Sequence, residues 1–182
     1  LAVADGDAVV PAINAMIPGF ETVLYTQDWH PADHLSFAAS HAGVEPFSVT
    51  EMPYGPQVLW PVHCVQGSDG AAFHEDLALS GDLIIRKGFR REIDSYSAFF
   101  ENDHNTPTGL EGYLRTRGIE KLTLVGLATD FCVNFSAVDA AKLGFEVTVQ
   151  AALCRAIDLN GSLAAARAGM QEAGVVWENA DG

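Results

Sequence analysis

The 182-residue chain is long enough for one domain with a single core, and no Gly/Ser-rich or Pro-rich linker divides it. Hydrophobic residues make up 48% and charged residues 19%, which indicates a globular rather than a disordered chain. A net charge of -14 disfavours nucleic acids and anionic membranes as partners, and the three cysteines show no disulfide-framework spacing. We therefore expect one cytoplasmic domain over residues 1–182, either a monomer or a homo-oligomer.

Helical and strand patterns alternate along the chain. The predicted helices cover residues 7–17, 108–117, 131–143 and 159–173. The predicted strands cover residues 22–26, 83–86, 122–127 and 146–150, with an edge strand at 175–177. This alternation predicts a three-layer α/β/α fold with a doubly wound, mostly parallel sheet. Residues 31–73 show no clear periodicity, and so long a loop is usually functional.

The beginning of the chain does not fit a doubly wound domain. Such a domain normally starts with a buried strand, whereas here Leu1-Ala2-Val3-Ala4-Asp5-Gly6 runs directly into a predicted helix. We therefore expect the first strand to be missing from these 182 residues and a further segment to precede Leu1.

Reactive side chains follow three of the predicted strands. Asp28 and His30 follow the first, Lys87 follows the second, and Cys132 follows the third. Because ligands bind at the carboxyl ends of parallel strands, these groups are expected to share one crevice. A helix N-terminus, with Asp130 as a cap and Lys87 nearby, would lower the pKa of the Cys132 thiol and make it a nucleophile. The other interpretation of a cysteine is a small buried side chain.

A group of metal-ligand residues lies near the first predicted strand. Asp28, His30 and His34 form an Asp-x-His-x3-His pattern, and His63 lies in the segment Trp60-Pro61-Val62-His63-Cys64. Imidazoles with one carboxylate suit zinc, iron or manganese and leave room for water. The alternative is solvated loop histidines without a metal. Cys64 is either a competing ligand or a small buried side chain. We interpret the remaining residues of these types as surface, supporting or structural groups: His41, His74 and Cys154.

Several segments together resemble the nicotinamidase/pyrazinamidase family, within the isochorismatase-like cysteine hydrolases. They follow the family order over most of the chain, and the first and last are the most specific. The matching segments are Asp28-Trp29-His30-Pro31 with His34, Trp60-Pro61-Val62-His63-Cys64, Lys87-Gly88, Asp94-Ser95-Tyr96-Ser97, and Gly126-Leu127-Ala128-Thr129-Asp130-Phe131-Cys132-Val133.

The resemblance implies a role for each matched residue. Cys132 would be the nucleophile, Lys87 its cationic neighbour, and the N-H groups of Ala128 and Cys132 an oxyanion hole next to a cis Leu127–Ala128 peptide bond. The side chains implied to bind the substrate are Trp60, Tyr96 and Leu127. The side chains implied to hold one divalent ion (Zn²⁺, Fe²⁺ or Mn²⁺) are Asp28, His30, His34 and His63.

The implied reaction is metal-dependent hydrolysis of nicotinamide to nicotinic acid and ammonia, and of pyrazinamide to pyrazinoic acid, through a cysteine thioester. The natural setting of this small-molecule reaction is NAD salvage. One departure is clear: the family's catalytic aspartate, in an Asp-x-Gln-x-Asp-Phe segment, has no match in the 182 residues.

Three other functions remain compatible with the sequence. The first is an amidase or hydrolase of the same superfamily that acts on ureido, carbamoyl or vinyl ether substrates. Most of the enzymes with those substrates lack the metal-ligand group. The others are a noncatalytic metal- or nicotinamide-binding module and a structural metalloprotein. Ammonia release from nicotinamide separates the amidase from the noncatalytic binding module, and an open coordination position separates a catalytic metal site from a structural one.

Overall fold

The computed structural model describes residues 1–179, in which seven strands alternate with four α-helices. The strands are β1 (Leu24–Asp28), β2 (Val49–Met52), β3 (Gly55–Val58), β4 (Leu83–Lys87), β5 (Lys121–Leu127), β6 (Glu146–Arg155) and β7 (Val176–Glu178). The helices are α1 (Val10–Met16), α2 (Leu110–Thr116), α3 (Asn134–Lys142) and α4 (Ser162–Glu172). None of the helices within residues 1–179 is long and apolar enough to cross a membrane.

The main strands pair in parallel, as the sequence predicts. β1 pairs with β4, in a register that sets Asp28 beside Lys87, and β5, β6 and β7 form a second parallel sheet. β2 and β3 form an antiparallel hairpin. Between residues 1 and 179, no strand hydrogen-bonds the β1–β4 pair to the β5–β6–β7 sheet. The predicted α/β class with parallel pairing is therefore confirmed, and the described strands form two separate parallel groups.

The hairpin is the main element that the sequence pattern does not predict. β2 and β3 each have only four residues, and the turn-facing end of β3 begins with Gly55 and Pro56. Glycine and proline are both depleted in strands, so this segment has no strand signature. The hairpin matters for the site because β3 carries Gln57 and ends at Val58, shortly before Trp60.

Backbone conformation moves two helix boundaries from their predicted positions. α4 starts at Ser162 rather than at 159, because Asn160 and Gly161 have positive φ angles of 53° and 84°. α3 is preceded by a π-helical turn at Thr129–Val133, so the polypeptide after β5 enters the helix through an irregular turn. Such turns frequently accompany functional sites.

The largest core packs α3 and α4 against β6. Ala137 and Ala140 on α3 are fully buried, and their small side chains let the helix approach the sheet closely. Leu114 from α2 and Met170 from α4 close the same core at 1% exposure. Cys154 lies in this cluster as well, in agreement with its interpretation as a structural residue.

Leu114→Ala is expected to lower the free energy of unfolding by about 2–5 kcal/mol, because it removes buried methyl groups and leaves a cavity. Leu79→Ala is the matched control, since Leu79 is 53% exposed, and its expected change is within about 0.5 kcal/mol. Urea unfolding of both variants measures the two values. Equal effects would contradict the assignment of Leu114 to the core.

Candidate active site

The carboxyl ends of β1, β4 and β5 meet at a pocket of about 180 Å³. Asp28, Lys87, Leu127 and Cys132 all line it. A larger and more open cleft of about 460 Å³ is lined by Gln27 and Arg86 among others, and no cysteine is among its lining residues. Because alternate side chains of a strand point to opposite faces, the two cavities lie on opposite sides of the β1–β4 pair. The smaller pocket therefore contains the predicted nucleophile, Cys132.

A buried lysine connects the thiol to a carboxylate. Lys87 is the last residue of β4 and is only 3% exposed. Its Nζ lies 3.2 Å from Cys132 Sγ and 3.0 Å from the carbonyl oxygen of Ser95, and it forms an ion pair with Asp28. Lys87 thus contacts both the carboxylate and the thiol that the sequence places in the same crevice.

The ionisation of these groups is strongly coupled. Burial favours the neutral amine, but the charges of Asp28 and the Cys132 thiolate outweigh it and raise the pKa of Lys87. Burial alone would raise the pKa of Asp28, but Lys87 and His30 more than offset it, and the pKa is lowered. Both members of the ion pair are therefore held in their charged forms.

The thiol itself behaves differently from the expectation based on sequence. Burial raises the pKa of Cys132, and Lys87 only partly offsets this effect, so the net direction is upward rather than downward. Asp130 does not cap the helical turn either. Instead its carboxylate accepts hydrogen bonds from the N-H groups of Ile157 and Asp158 and from the hydroxyl of Ser162. Asp130 thus joins the turn that carries the nucleophile to the loop before α4.

Three of the four predicted metal ligands converge. Asp28, His30 and His63 each offer one ligand atom, and these atoms lie within 4.8 Å of one another. His30 Nδ1 lies 2.8 Å from the carbonyl oxygen of Gly88, and His63 Nδ1 lies 2.8 Å from that of Pro61. A carbonyl oxygen only accepts, so each Nδ1 carries the proton and each Nε2 has a free lone pair. This donor set fits a divalent metal ion.

His34 has a different environment from the other histidines. It groups with His30 and Asp94 rather than with Asp28 and His63. Its Nε2 lies 3.2 Å from the carbonyl oxygen of Ile93, and its Nδ1 accepts a hydrogen bond from the N-H of Ser36. Both ring nitrogens already have partners, so the geometry favours a structural role over the predicted role as a ligand.

Gly88 is required for the orientation of His30. Its φ angle is +62°, and a Cβ atom there would lie 2.3 Å from Cε1 of the His30 ring. Only glycine allows the backbone to approach the imidazole closely enough for its carbonyl to hold Nδ1. The Lys87-Gly88 pair therefore contributes a cation to the thiol and an orienting carbonyl to a metal-ligand histidine.

Aromatic side chains form the walls of the pocket. The Trp60 and Phe131 rings meet edge to face with centroids 4.8 Å apart, and Tyr96 packs against Phe131 at 5.5 Å. Leu127 and Ala128 also line the pocket, and the peptide bond that joins them is cis, as expected. Such walls suit a small planar ring.

Phe131 and Gln57 are residues that the sequence argument does not select for the site. Phe131 directly precedes the nucleophile, and an aromatic residue in that position is a usable signal. Gln57 belongs to the unpredicted hairpin and gives no sequence signal. Cys64 lines the pocket, but it does not belong to either metal-ligand group in residues 1–179, and burial raises its pKa to about 11.

A thiol after a parallel strand, a buried lysine at its sulfur and a carboxylate–imidazole group beside it define an α/β cysteine hydrolase. The isochorismatase domain family model matches residues 1–181, and the chain belongs to this family.

Relatives of known activity are similar over nearly the whole chain. A nicotinamidase of Acinetobacter baylyi is 54% identical over 176 residues, which cover 96% of this chain and 82% of the relative. A solved nicotinamidase/pyrazinamidase structure from Acinetobacter baumanii has 56% identity and a TM-score of 0.97, covering 98% and 87% of the two chains. A Pyrococcus horikoshii pyrazinamidase in complex with zinc has 31% identity and a TM-score of 0.77, covering 98% and 89%.

Lys87→Met is expected to slow alkylation of Cys132 by iodoacetamide at neutral pH. Removing the cation takes away the charge that lowers the pKa of the thiol, so the midpoint of the alkylation pH profile should move to higher pH. Peptide mass spectrometry across a pH series measures this midpoint. Lys121→Met is the control, because Lys121 is 76% exposed and pairs with Glu146. A midpoint that stays in place or falls would contradict the proposed Lys87–thiolate interaction.

Proposed function

We propose that this chain hydrolyses the carboxamide of nicotinamide to nicotinic acid and ammonia, with pyrazinamide as a second substrate. The observation that carries the proposal is the contact between Lys87 Nζ and Cys132 Sγ at 3.2 Å, at the end of an aromatic-walled pocket. The 54% identity to a nicotinamidase supports the same reaction. The reaction occurs in the cytoplasm as part of NAD salvage.

Cys132 forms and releases the covalent intermediate. Its thiolate attacks the amide carbon, and the backbone N-H groups of Ala128 and Cys132 donate to the oxygen as negative charge develops there. The C–N bond then breaks, and the nitrogen leaves as ammonia with the proton that the Cys132 thiol gave up when it became a thiolate. Water attacks the resulting thioester, which releases nicotinic acid and restores the thiol.

Lys87 stabilises the thiolate and does not accept its proton. Its raised pKa keeps it charged near neutrality, and a charged ammonium has no lone pair with which to act as a base. The family's proton acceptor is an aspartate in an Asp-x-Gln-x-Asp-Phe segment, which these 182 residues do not contain. The roles proposed for this chain's own residues are therefore those of nucleophile, cation and oxyanion donors.

Asp28, His30 and His63 are proposed to hold one divalent ion through a carboxylate oxygen and two Nε2 atoms. When bound, such an ion supplies a Lewis acid that can take the ring nitrogen of the substrate. The zinc complex of the Pyrococcus horikoshii pyrazinamidase supports a metal in this family. The ligand set is equally suited to Zn²⁺, Fe²⁺ and Mn²⁺.

Trp60, Tyr96 and Phe131 are proposed to flank the substrate ring, with Leu127 at the exposed side of the pocket. A planar heteroaromatic amide fits these walls, whereas an extended ureido or carbamoyl chain would leave the rings and the imidazole nitrogens without a partner. The donor set at Asp28, His30 and His63 thus favours a ring with a ligating nitrogen over the other substrates of the superfamily.

Cys132→Ala should abolish ammonia release from nicotinamide, because no sulfur remains to form the thioester. A coupled ammonia assay measures turnover, and calorimetry with nicotinamide should show that the variant still binds. Cys154→Ala, which removes a core thiol that does not line the pocket, is the control and should remain active. Turnover by folded Cys132→Ala would overturn the assignment of the nucleophile.

Metal content distinguishes the proposed ligands from His34. His63→Ala should lose most of its bound metal after dialysis, measured by elemental analysis, because one of three protein donors is gone. His41→Ala is the control, since His41 donates to the carbonyl of Leu35 outside the metal-ligand group. His34→Asn should keep its metal. Loss of metal from a folded His34→Asn variant would show that His34 is a ligand after all.

A further inference from the structure

Gln57 is a fully buried polar residue in the hairpin beside the pocket. It lies on β3 with an exposed fraction of 0%, and its side chain contacts the hydroxyl group of Tyr96. It is not among the residues that line the pocket. A buried amide is costly unless its polar atoms have partners, so its hydrogen bonds show what holds it there.

The hydrogen bonds fix the orientation of the Gln57 amide. Nε2 lies 2.7 Å from the carbonyl oxygen of Val58, which can only accept, so the NH₂ end must be on that side. Oε1 accepts from Asn102 Nδ2 at 3.0 Å and from the Tyr54 hydroxyl at 3.2 Å. The amide therefore has a single orientation.

The second amide hydrogen reaches a wall of the pocket. Gln57 Nε2 lies 2.7 Å from the hydroxyl oxygen of Tyr96, and Trp60 Nε1 donates to the same oxygen at 3.0 Å. These two bonds occupy both lone pairs of the tyrosine oxygen. The Tyr96 oxygen thus fixes the spacing of the Trp60 and Tyr96 rings. Gln57 donates the second of the two hydrogen bonds that this oxygen accepts.

We propose that Gln57 is a positioning residue that fixes Trp60 and Tyr96 and thereby controls affinity for the substrate ring. This inference rests on the proposed function, because it assigns those rings to substrate binding. Since the walls contact the ring in the ground state and the transition state alike, Gln57 acts on KM rather than on kcat.

The chemistry of the position requires an amide. A glutamate would direct a carboxylate oxygen at the carbonyl of Val58 and at Asp94 Oδ2, which lies 3.3 Å from Gln57 Nε2. A methionine has a similar length but no donor, so it would leave the Tyr96 oxygen without its second hydrogen bond.

The test compares Gln57→Met, Tyr96→Phe and the double variant. Gln57→Met should raise KM for nicotinamide on the order of tenfold with kcat nearly unchanged, and should weaken binding of nicotinate by the same factor. Tyr96→Phe removes the shared oxygen and should raise KM similarly. In the double variant the second substitution should add little, because both remove one interaction.

Gln27→Met is the matched control, because Gln27 also donates its amide to a backbone carbonyl, that of Ala71, but lines the larger cleft instead. Its KM should remain that of the wild type. An unchanged KM in folded Gln57→Met, or additive effects with Tyr96→Phe, would overturn the inference. If Gln57→Met fails to fold, an unchanged KM in Tyr96→Phe would likewise overturn the inference. Absence of turnover in the wild type would instead contradict the proposed function.

Discussion

The site depends on one buried ion pair, between Lys87 at the end of β4 and Asp28 at the end of β1. An isolated lysine at 3% exposure would tend to lose its proton, and the adjacent carboxylate prevents this. The charge so retained lies 3.2 Å from Cys132 Sγ, where it stabilises the thiolate against the opposing effect of burial. Parallel pairing of β1 with β4 places the two partners side by side without any specialised loop.

Asp28 also joins the thiol chemistry to the metal-ligand group. It contacts Lys87 and offers a ligand atom beside His30 and His63, so one carboxylate serves both halves of the pocket. The two histidines are oriented by backbone carbonyls, one of which requires a glycine at position 88. Backbone carbonyls therefore decide which imidazole nitrogen is free to bind a metal ion. His34 differs from the two ligand histidines because both of its ring nitrogens already have hydrogen-bond partners.

Site residues at strand ends are predictable from the sequence, because the carboxyl ends of parallel strands converge in any fold of this class. Asp28, Lys87 and Cys132 are predicted in this way. The raised pKa of Cys132 is not predictable from its place at a helix terminus, because burial depends on packing between distant segments. The hairpin and Gln57 are not predictable either, since Gly55 and Pro56 suppress the strand pattern and a lone glutamine has no signature. The bonds of Asp130 to the loop before α4 link residues distant in sequence and lack local signals.

The proposed mechanism requires that the nicotinamide carboxamide acylates Cys132. The most direct measurement is mass spectrometry of protein quenched in acid during turnover, followed by peptide mapping. We expect a nicotinoyl adduct on the peptide that contains Cys132, and protein free of the adduct once the substrate is exhausted. Turnover with no adduct on Cys132 at any quench time, together with an adduct on Cys64 or on no cysteine, would contradict it.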